Sequence, residues 1–361
     1  MAEIRLEGVA HSYDGGKTFA LNPITMTWED GKAYALLGPS GCGKTTLLNI
    51  ISGLLKPSHG KVFIDGKDVT NVITDDRNIA QVFQFPVLYD TMTVRKNLEF
   101  PLKNRKLPKA KIAERVNEIA ELLGLEKELD SKPAKLRSDL QQIVSLGRGL
   151  VREDVSAILF DEPLTVIDQN FKWTLRNRLK RLHLATGVTV VYVTHDQTEA
   201  LTFADEVLVM NQGSLVQAGT AESLFIEPQH EFVGYFIGSP GMNFINVQAE
   251  DSVLVRDGDV VGKATKPGLN GTFRFGVRPE FLQPASSGLS CRIIRVEDRG
   301  VFKLVHLDFN GVLLMSKVDE NYNGKVGDTA TFGFDSTRAF LFDGTKKLCA
   351  TVSTSGARSR S

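Results

Sequence analysis

Three short segments carry residues whose types and spacing suit phosphate chemistry. The first is GPSGCGKTT, made of Gly38, Pro39, Ser40, Gly41, Cys42, Gly43, Lys44, Thr45 and Thr46. It fits G-x-x-x-x-G-K-[ST], follows the apolar run AYALL (33–37) and precedes the helical run LLNIISGLL. That order wraps backbone N–H groups around phosphates at a helix N-terminus. Glycines at 38, 41 and 43 permit the tight, partly left-handed path. Lys44 can neutralise β- and γ-phosphates, and the Thr45 hydroxyl can coordinate Mg²⁺. The second segment, AILFDEP (157–163), sets Asp161 and Glu162 at the end of a buried strand, beside the phosphate loop. One acid can join a Mg²⁺ shell while the next polarises a water for attack. Alone, an acidic pair at a strand end is weak and fits a helix N-cap region equally well; with the phosphate loop it becomes strong. The third, VYVTHD (191–196), ends another buried strand in His195. A lone histidine there is usually structural, but the attacking water and γ-phosphate must lie close to this same edge.

The elements that must position these groups read as an α/β pattern over the first two-thirds of the chain. AYALL, SAILF (156–160) and VTVVYV (188–193) are continuous apolar runs, suited to central strands buried on both faces. Between about residues 86 and 154 the texture turns helical. Ile112, Val116, Ile119 and Leu123 recur at helical spacing, and Gly124 stands where a C-cap is expected. Some 70 residues is long for one crossover, so a helical insertion is expected, with ordinary crossover helices as the alternative. Near residue 237 the pattern shifts at the turn-rich GSPGMNF. Val305, Leu307 and Phe309 alternate with His306 and Asp308, and Asn310-Gly311 supplies a hairpin turn before VLLM. Several such strands predict a small β-barrel or sandwich. The boundaries expected are 1–236 and 237–352, with a disordered polar tail over 353–361.

Composition excludes more than it names. The 361 residues hold 43 Lys+Arg against 43 Asp+Glu, a balance without the basic excess of a nucleic-acid binder. Hydrophobic residues at 42% and charged ones at 24% fit a folded globular protein. No run approaches the ~18 apolar residues that cross a bilayer. MAEIRLEGVAHSY has no apolar core of a secretory signal. Three cysteines, Cys42, Cys291 and Cys349, are odd in number and far apart, which disfavours a disulfide framework.

Taken in order, the three segments resemble those of the ATPase subunit of an ABC transporter, and the likeness covers nearly the whole chain. The phosphate loop is then the Walker A motif, LFDE the end of Walker B, and His195 the switch histidine. Gln84, in AQVFQFPVLYDTMTV, falls at the Q-loop glutamine, which in the family contacts Mg²⁺ and senses membrane subunits. Tyr13 in HSYDGG falls where the family stacks a ring on adenine, and Asp168 matches the D-loop aspartate. PGMNF and FGVRPE (275–280) resemble the C-terminal extension of maltose-type carbohydrate-importer ATPases, a small OB-like β-domain. The resemblance implies a P-loop NTPase of ABC type with a helical subdomain over about 86–154, followed by an all-β domain. It implies ATP and Mg²⁺ as ligands, with Lys44, Glu162 and His195 catalytic and Thr45, Gln84 and Asp161 holding the metal. It also implies two membrane-spanning permease subunits, a solute-binding protein and a place at the cytoplasmic face of a bacterial inner membrane.

One motif departs from the family. The signature LSGGQ precedes a helix reading roughly QRVALARAL, and here the segment is KLRSDLQQIVSLGRGL, which aligns without a gap. The signature positions are Leu136, Arg137, Ser138, Asp139 and Leu140, so the serine and both glycines are replaced. In the family this segment faces the γ-phosphate on the opposite subunit. Asp139 would set a carboxylate near it, a repulsion of a few kcal/mol at ~4 Å and an effective dielectric of ~20; Arg137 could offset that by pairing with phosphate. A homodimer would then have two compromised sites, whereas a heterodimer with a second ATPase of good signature would have one competent site. The Gln-Phe-Pro-Val run, SLGRGLVRED and FVGYFIGSPGMNFINV resemble one of the two ATPase subunits of bacterial glycerol importers. The alternatives are a homodimeric ATPase of another carbohydrate importer, a soluble ABC ATPase outside transport, and a nucleotide-binding regulator without turnover.

Two further features carry expectations. Cys42 sits inside the phosphate loop, where Lys44 and a helix N-terminus favour the thiolate; the plainer reading is a small side chain that fits. The basic run RNRLKR (176–181) lies on an expected helix, where solvated charge is the default.

Overall fold

The computed structural model describes residues 2–353 and, of Asn170, the backbone alone. Most of the tail expected to be disordered lies outside the described residues, while Ser353 closes the last strand.

The described residues divide into two compact units between Ala221 and Glu222. The first begins with the antiparallel strands β1 (Ile4–His11) and β2 (Leu21–Trp28), followed by β3 (Ala33–Leu37), helix α1 (Lys44–Ser52), β4 (His59–Ile64) and the two-residue β5 (Lys67–Asp68). After β6 (Ile79–Val82) come α2 (Val94–Asn104), α3 (Lys109–Leu123) and α4 (Ser138–Leu150), three helices inserted before β7 (Ala157–Asp161). The rest alternates α5 (Gln169–Thr186), β8 (Thr189–Thr194), α6 (Gln197–Phe203), β9 (Glu206–Asn211) and β10 (Ser214–Gly219). One sheet runs β2-β1-β4-β5; the other runs β10-β9-β3-β8-β7-β6. In the second, β3, β6, β7, β8 and β9 are parallel, and β10 closes the edge antiparallel to β9.

Every residue of β3, β7 and β8 is buried, as continuous apolar runs require of strands covered on both sides. The pleat sorts them. Leu159, Val191 and Val193 join the core beneath α1 and the antiparallel sheet, with Leu47, Leu48, Ile51 and Trp28. Ile158, Phe160, Val190 and Tyr192 join the opposite core, with Leu98, Val116, Ile119 and Leu146 from the inserted helices. Because both faces are loaded, the strand ends are fixed to within a residue, and those ends carry the polar groups. No helix among the described residues is long and apolar enough to cross a membrane.

The second unit contains α7 (Ala221–Ile226, whose first residue lies before the division) and α8 (Glu231–Phe236), then strands with one 3₁₀ turn over Pro279–Phe281. Strands β11 (Asn243–Glu250), β12 (Val253–Arg256), β13 (Asp259–Ala264), β14 (Gly271–Val277), β19 (Ala339–Phe342) and β20 (Leu348–Ser353) form a closed barrel. A four-stranded sheet, β17-β16-β15-β18, is built from β15 (Leu282–Asp298), β16 (Lys303–Phe309), β17 (Val312–Val318) and β18 (Thr329–Phe334). Asn310 at φ 47° and Gly311 at φ 75° make the β16–β17 turn, since two successive left-handed residues match the strand twist. The change of pattern near residue 237 marks where helices stop, but packing divides the chain some 15 residues earlier. The reason is Arg278. Its buried guanidinium donates to the carbonyls of Phe225 (2.7 Å), Gly234 (3.2 Å), Leu224 (3.5 Å) and Ile237, tying α7 and α8 to the β-unit. Burial lowers its pKa to about 10.

Candidate nucleotide site

The phosphate loop connects β3 to α1. Gly41 (φ 80°) and Gly43 (φ 97°) take left-handed conformations, and Gly43 is also close-packed: a Cβ there would meet the Ala20 carbonyl at 2.6 Å. At Gly38 a Cβ would meet the Met210 carbonyl at 2.3 Å. Glycine is therefore required for conformation at one position, for space at another and for both at Gly43. Pro39 accepts from the Cys42 N–H at 3.3 Å, closing the turn that carries Ser40. Lys44 is buried, and its Nζ donates to the carbonyls of Gly38 (2.8 Å) and Pro39 (3.0 Å). The ammonium thus sits inside the loop, where an anion in the cradle would meet it. The first turn of α1 carries no acid, so its free N–H groups and the positive end of the helix dipole stand unopposed.

Across from this loop, β7 ends at Asp161. The Thr45 hydroxyl donates to Asp161 Oδ1 at 3.1 Å, and the carboxylate is almost completely buried. Burial raises its pKa and the neighbouring Glu162 acts the same way, against the Thr45 hydrogen bond and Lys44. A desolvated carboxylate beside a hydroxyl is a hard oxygen donor pair that suits Mg²⁺, which takes few protein ligands and fills its octahedron with phosphate and water. Among the described residues, no group of three or more His, Cys, Asp or Glu side chains is placed to hold a metal alone.

Glu162 is the most constrained residue here. Its backbone lies at φ 46°, which for a non-glycine residue costs about 1–3 kcal/mol and persists only where neighbours over-determine it. They do so here: the Glu162 N–H donates to Val193 O (2.9 Å), and Thr165 donates through its hydroxyl to Glu162 O (3.1 Å). Three side chains reach Oε2: His195 Nδ1 at 3.0 Å, Thr165 Oγ1 at 3.3 Å and Gln84 Nε2 at 3.4 Å. Since all three converge on one oxygen, Oε1 is the atom left to accept a proton from water. Gln84 turns its N–H toward Glu162, so its carbonyl oxygen is the end that could face a cation.

Tyr13 is largely exposed, with its hydroxyl 3.1 Å from Thr46 Oγ1 and its ring edge-on to His11 at 4.5 Å. It stands at the start of α1, an open apolar face beside the loop. The structure thus brings Lys44, Thr45 and Asp161 together, and beside them Gln84, Glu162 and His195. The signature segment belongs elsewhere. Among the described residues no hydrogen bond or ion pair joins Arg137 or Asp139 to these groups; the two pair with each other at 2.8 Å. Arg137 is therefore engaged with Asp139 in this structure.

One sequence expectation holds and another needs correction. Burial pushes the Cys42 thiol up, outweighing Lys44, whose Nζ lies 3.8 Å away, so the thiolate is disfavoured and the small-side-chain reading stands. RNRLKR is only partly a solvated run. Arg176 is buried, Arg178 donates to Leu122 O at 3.0 Å, and Lys180 bonds Phe203 O (2.6 Å) and Asp205 (3.0 Å). Thr165 and Gln142 carry no signal in the sequence. Gln142 is 1% exposed on α4 and donates to Phe83 O and Pro163 O; its partners are distant in sequence.

Comparison with known proteins agrees with this geometry. The ABC transporter family profile matches residues 21–165, which span the loop, Gln84, Asp161 and Glu162. The trehalose/maltose import ATP-binding protein of Thermococcus litoralis is 37% identical over 96% of this chain and 98% of its own. The sn-glycerol-3-phosphate import ATP-binding protein of Paracoccus denitrificans is 44% identical over 80% of each chain. The oligosaccharides import ATP-binding protein of Bacillus subtilis is 36% identical over 95% of this chain and 98% of its own. A dimeric ATP-binding cassette solved in a post-hydrolysis state with ADP and Pi superposes with a TM-score of 0.56 at 30% identity, covering 60% of this chain and 98% of that one. With similarity running through both units, the chain belongs to the ABC transporter family, as an ATP-hydrolysing subunit of the importer kind.

Proposed function

We propose that this chain binds ATP in the Gly38–Thr46 loop and hydrolyses it with Glu162 as general base, driving uptake of a small polyol or sugar through membrane subunits. Lys44 and the first amides of α1 hold the β- and γ-phosphates, and Tyr13 stacks on adenine. Thr45, Gln84 and Asp161 are the residues that would hold Mg²⁺, which when bound would supply positive charge against the phosphates. Glu162 Oε1 takes the water's proton while His195, Thr165 and Gln84 hold the carboxylate through Oε2. The observation that carries this reading is the convergence of three side chains on Glu162 Oε2 at 3.0–3.4 Å, with the Thr165 proton shared with the Glu162 carbonyl, one residue from Asp161. Glu162→Gln tests it: ATP binding persists and turnover falls by about 10²–10⁴. Hydrolysis at the normal rate by that variant would overturn the assignment.

Phe85, Val87 and Tyr89, exposed directly after Gln84, support docking of two permease subunits, because apolar side chains in solvent mark contact surfaces. On this reading the chain works at the cytoplasmic face of a bacterial inner membrane, served indirectly by a solute-binding protein. Relatives named for trehalose/maltose, oligosaccharide and sn-glycerol-3-phosphate import bound the solute class. Glycerol is the preferred member, on the likeness of the Gln84–Val87 run and SLGRGLVRED to a glycerol-importer subunit. Pairing with a second, different ATPase is favoured over a homodimer. Asp139 accepts the Leu140 N–H at 2.8 Å and neutralises Arg137, so the start of α4 offers an anion little positive field.

A further inference from the structure

The start of α4 is bonded to the catalytic loops by one buried amide. Gln142 lies just over a turn into α4, with both hydrogens of Nε2 directed at backbone carbonyls: Phe83 O at 3.1 Å and Pro163 O at 3.2 Å. Both neighbours are acceptors, so only the NH₂ end of the amide can occupy this position. Phe83 precedes Gln84 and Pro163 follows Glu162, on the loops leaving β6 and β7, which are neighbours in the sheet. Gln142 therefore spans on the backbone the pair of loops that Gln84 and Glu162 span with their side chains at 3.4 Å. The same face of α4 continues the grip at three-residue spacing. Ser145 Oγ accepts from the Val87 N–H at 3.2 Å, and Arg148 donates to Val87 O. Any rotation of α4 must carry these loops with it or break these bonds.

We propose that Gln142 is a positioning residue for hydrolysis: it holds Glu162 and Gln84 in register and couples their placement to the orientation of the Leu136–Leu140 segment. This rests on Glu162 being the general base. Gln142 touches neither the phosphate loop nor Lys44 among the described residues, so its loss acts on turnover and spares ATP binding.

The test uses the full chain with ATP and Mg²⁺, in the assembly in which the wild type turns over, and two near-isosteric variants. Gln142→Met removes both donors without burying a charge. It is expected to lower kcat by roughly tenfold to a hundredfold, as a misplacement of about 1 Å does, with KM for ATP within about twofold. Gln142→Glu sets an acceptor against two carbonyls and lowers kcat similarly at pH 8. Burial raises that carboxyl's pKa, so toward pH 6 it gains a proton, regains one O–H donor and recovers rate relative to wild type. A role in packing alone would not produce that recovery. The inference is overturned if Gln142→Met keeps kcat within twofold. It is also overturned if kcat and thermal midpoint fall while KM for ATP rises with them, or if the Gln142→Glu ratio is flat with pH. Should Gln142→Met not fold, the pH ratio of Gln142→Glu decides alone. Failure of the underlying reading is separate: it shows as normal turnover by Glu162→Gln.

Discussion

Two helix N-termini in this molecule differ in backbone path and in electrostatics. Helix α1 opens after a glycine turn, with no acid in its first turn and a buried lysine facing the cradle. Helix α4 opens after Arg137 with Asp139 in its first turn, the carboxylate bonded to Arg137 and to the Leu140 N–H. The first sets no acid against its amides; the second holds its own carboxylate against Arg137 and the Leu140 N–H. If both termini face phosphate on opposite subunits, as the family resemblance implies, the proposal is that this chain keeps what its own site needs and alters what it lends to a partner.

Substitutions can break or sharpen that contrast. The largest effect after loss of Glu162 is expected at α1. Lys44→Ala removes the cation that phosphate meets, and at about 1.5–3 kcal/mol for a charged hydrogen bond, ATP affinity should fall roughly tenfold to a hundredfold. A calorimetric titration with ATP checks it, and unchanged affinity would break the comparison at its stronger end. The reverse change belongs to α4. The double variant Arg137→Ser with Asp139→Gly removes the repulsive carboxylate and should raise turnover of the chain alone several-fold, without moving ATP affinity for an isolated subunit. A rate that stays flat would mean the acid is harmless where it sits. The smallest effect on nucleotide chemistry is expected from Arg278→Met. It strips the donor from four carbonyls, destabilising the second unit by about 1–3 kcal/mol. Thermal unfolding should shift while ATP affinity holds.

The contrast also marks how much could be read in advance. The phosphate loop, Asp161–Glu162 and His195 were legible because each stands at the end of an apolar run, and such runs fix strand ends locally. The alternation around Val305–Phe309 and the Asn310-Gly311 turn were legible for the same reason. Gln142 was not, because its partners lie 59 and 21 residues away and only folding reveals them. At Cys42 the plainer reading, a small side chain that fits, holds because burial outweighs the nearby lysine. RNRLKR misled because a basic run is visible in the sequence while its burial and partners are not: α5 turns Arg176 inward and gives Lys180 to Asp205. The boundary at 237 followed the loss of helical period, whereas Arg278 binds the last two helices to the strands.

The central claim is that this chain has a complete site of its own and contributes an impaired signature to its partner's. The most direct measurement is steady-state ATP turnover by the purified chain, alone and mixed with a second ATPase that carries an intact LSGGQ. The account predicts slow turnover alone and cooperative turnover in the mixture, abolished by Glu162→Gln in this chain. Fast, cooperative hydrolysis by this chain alone would contradict it.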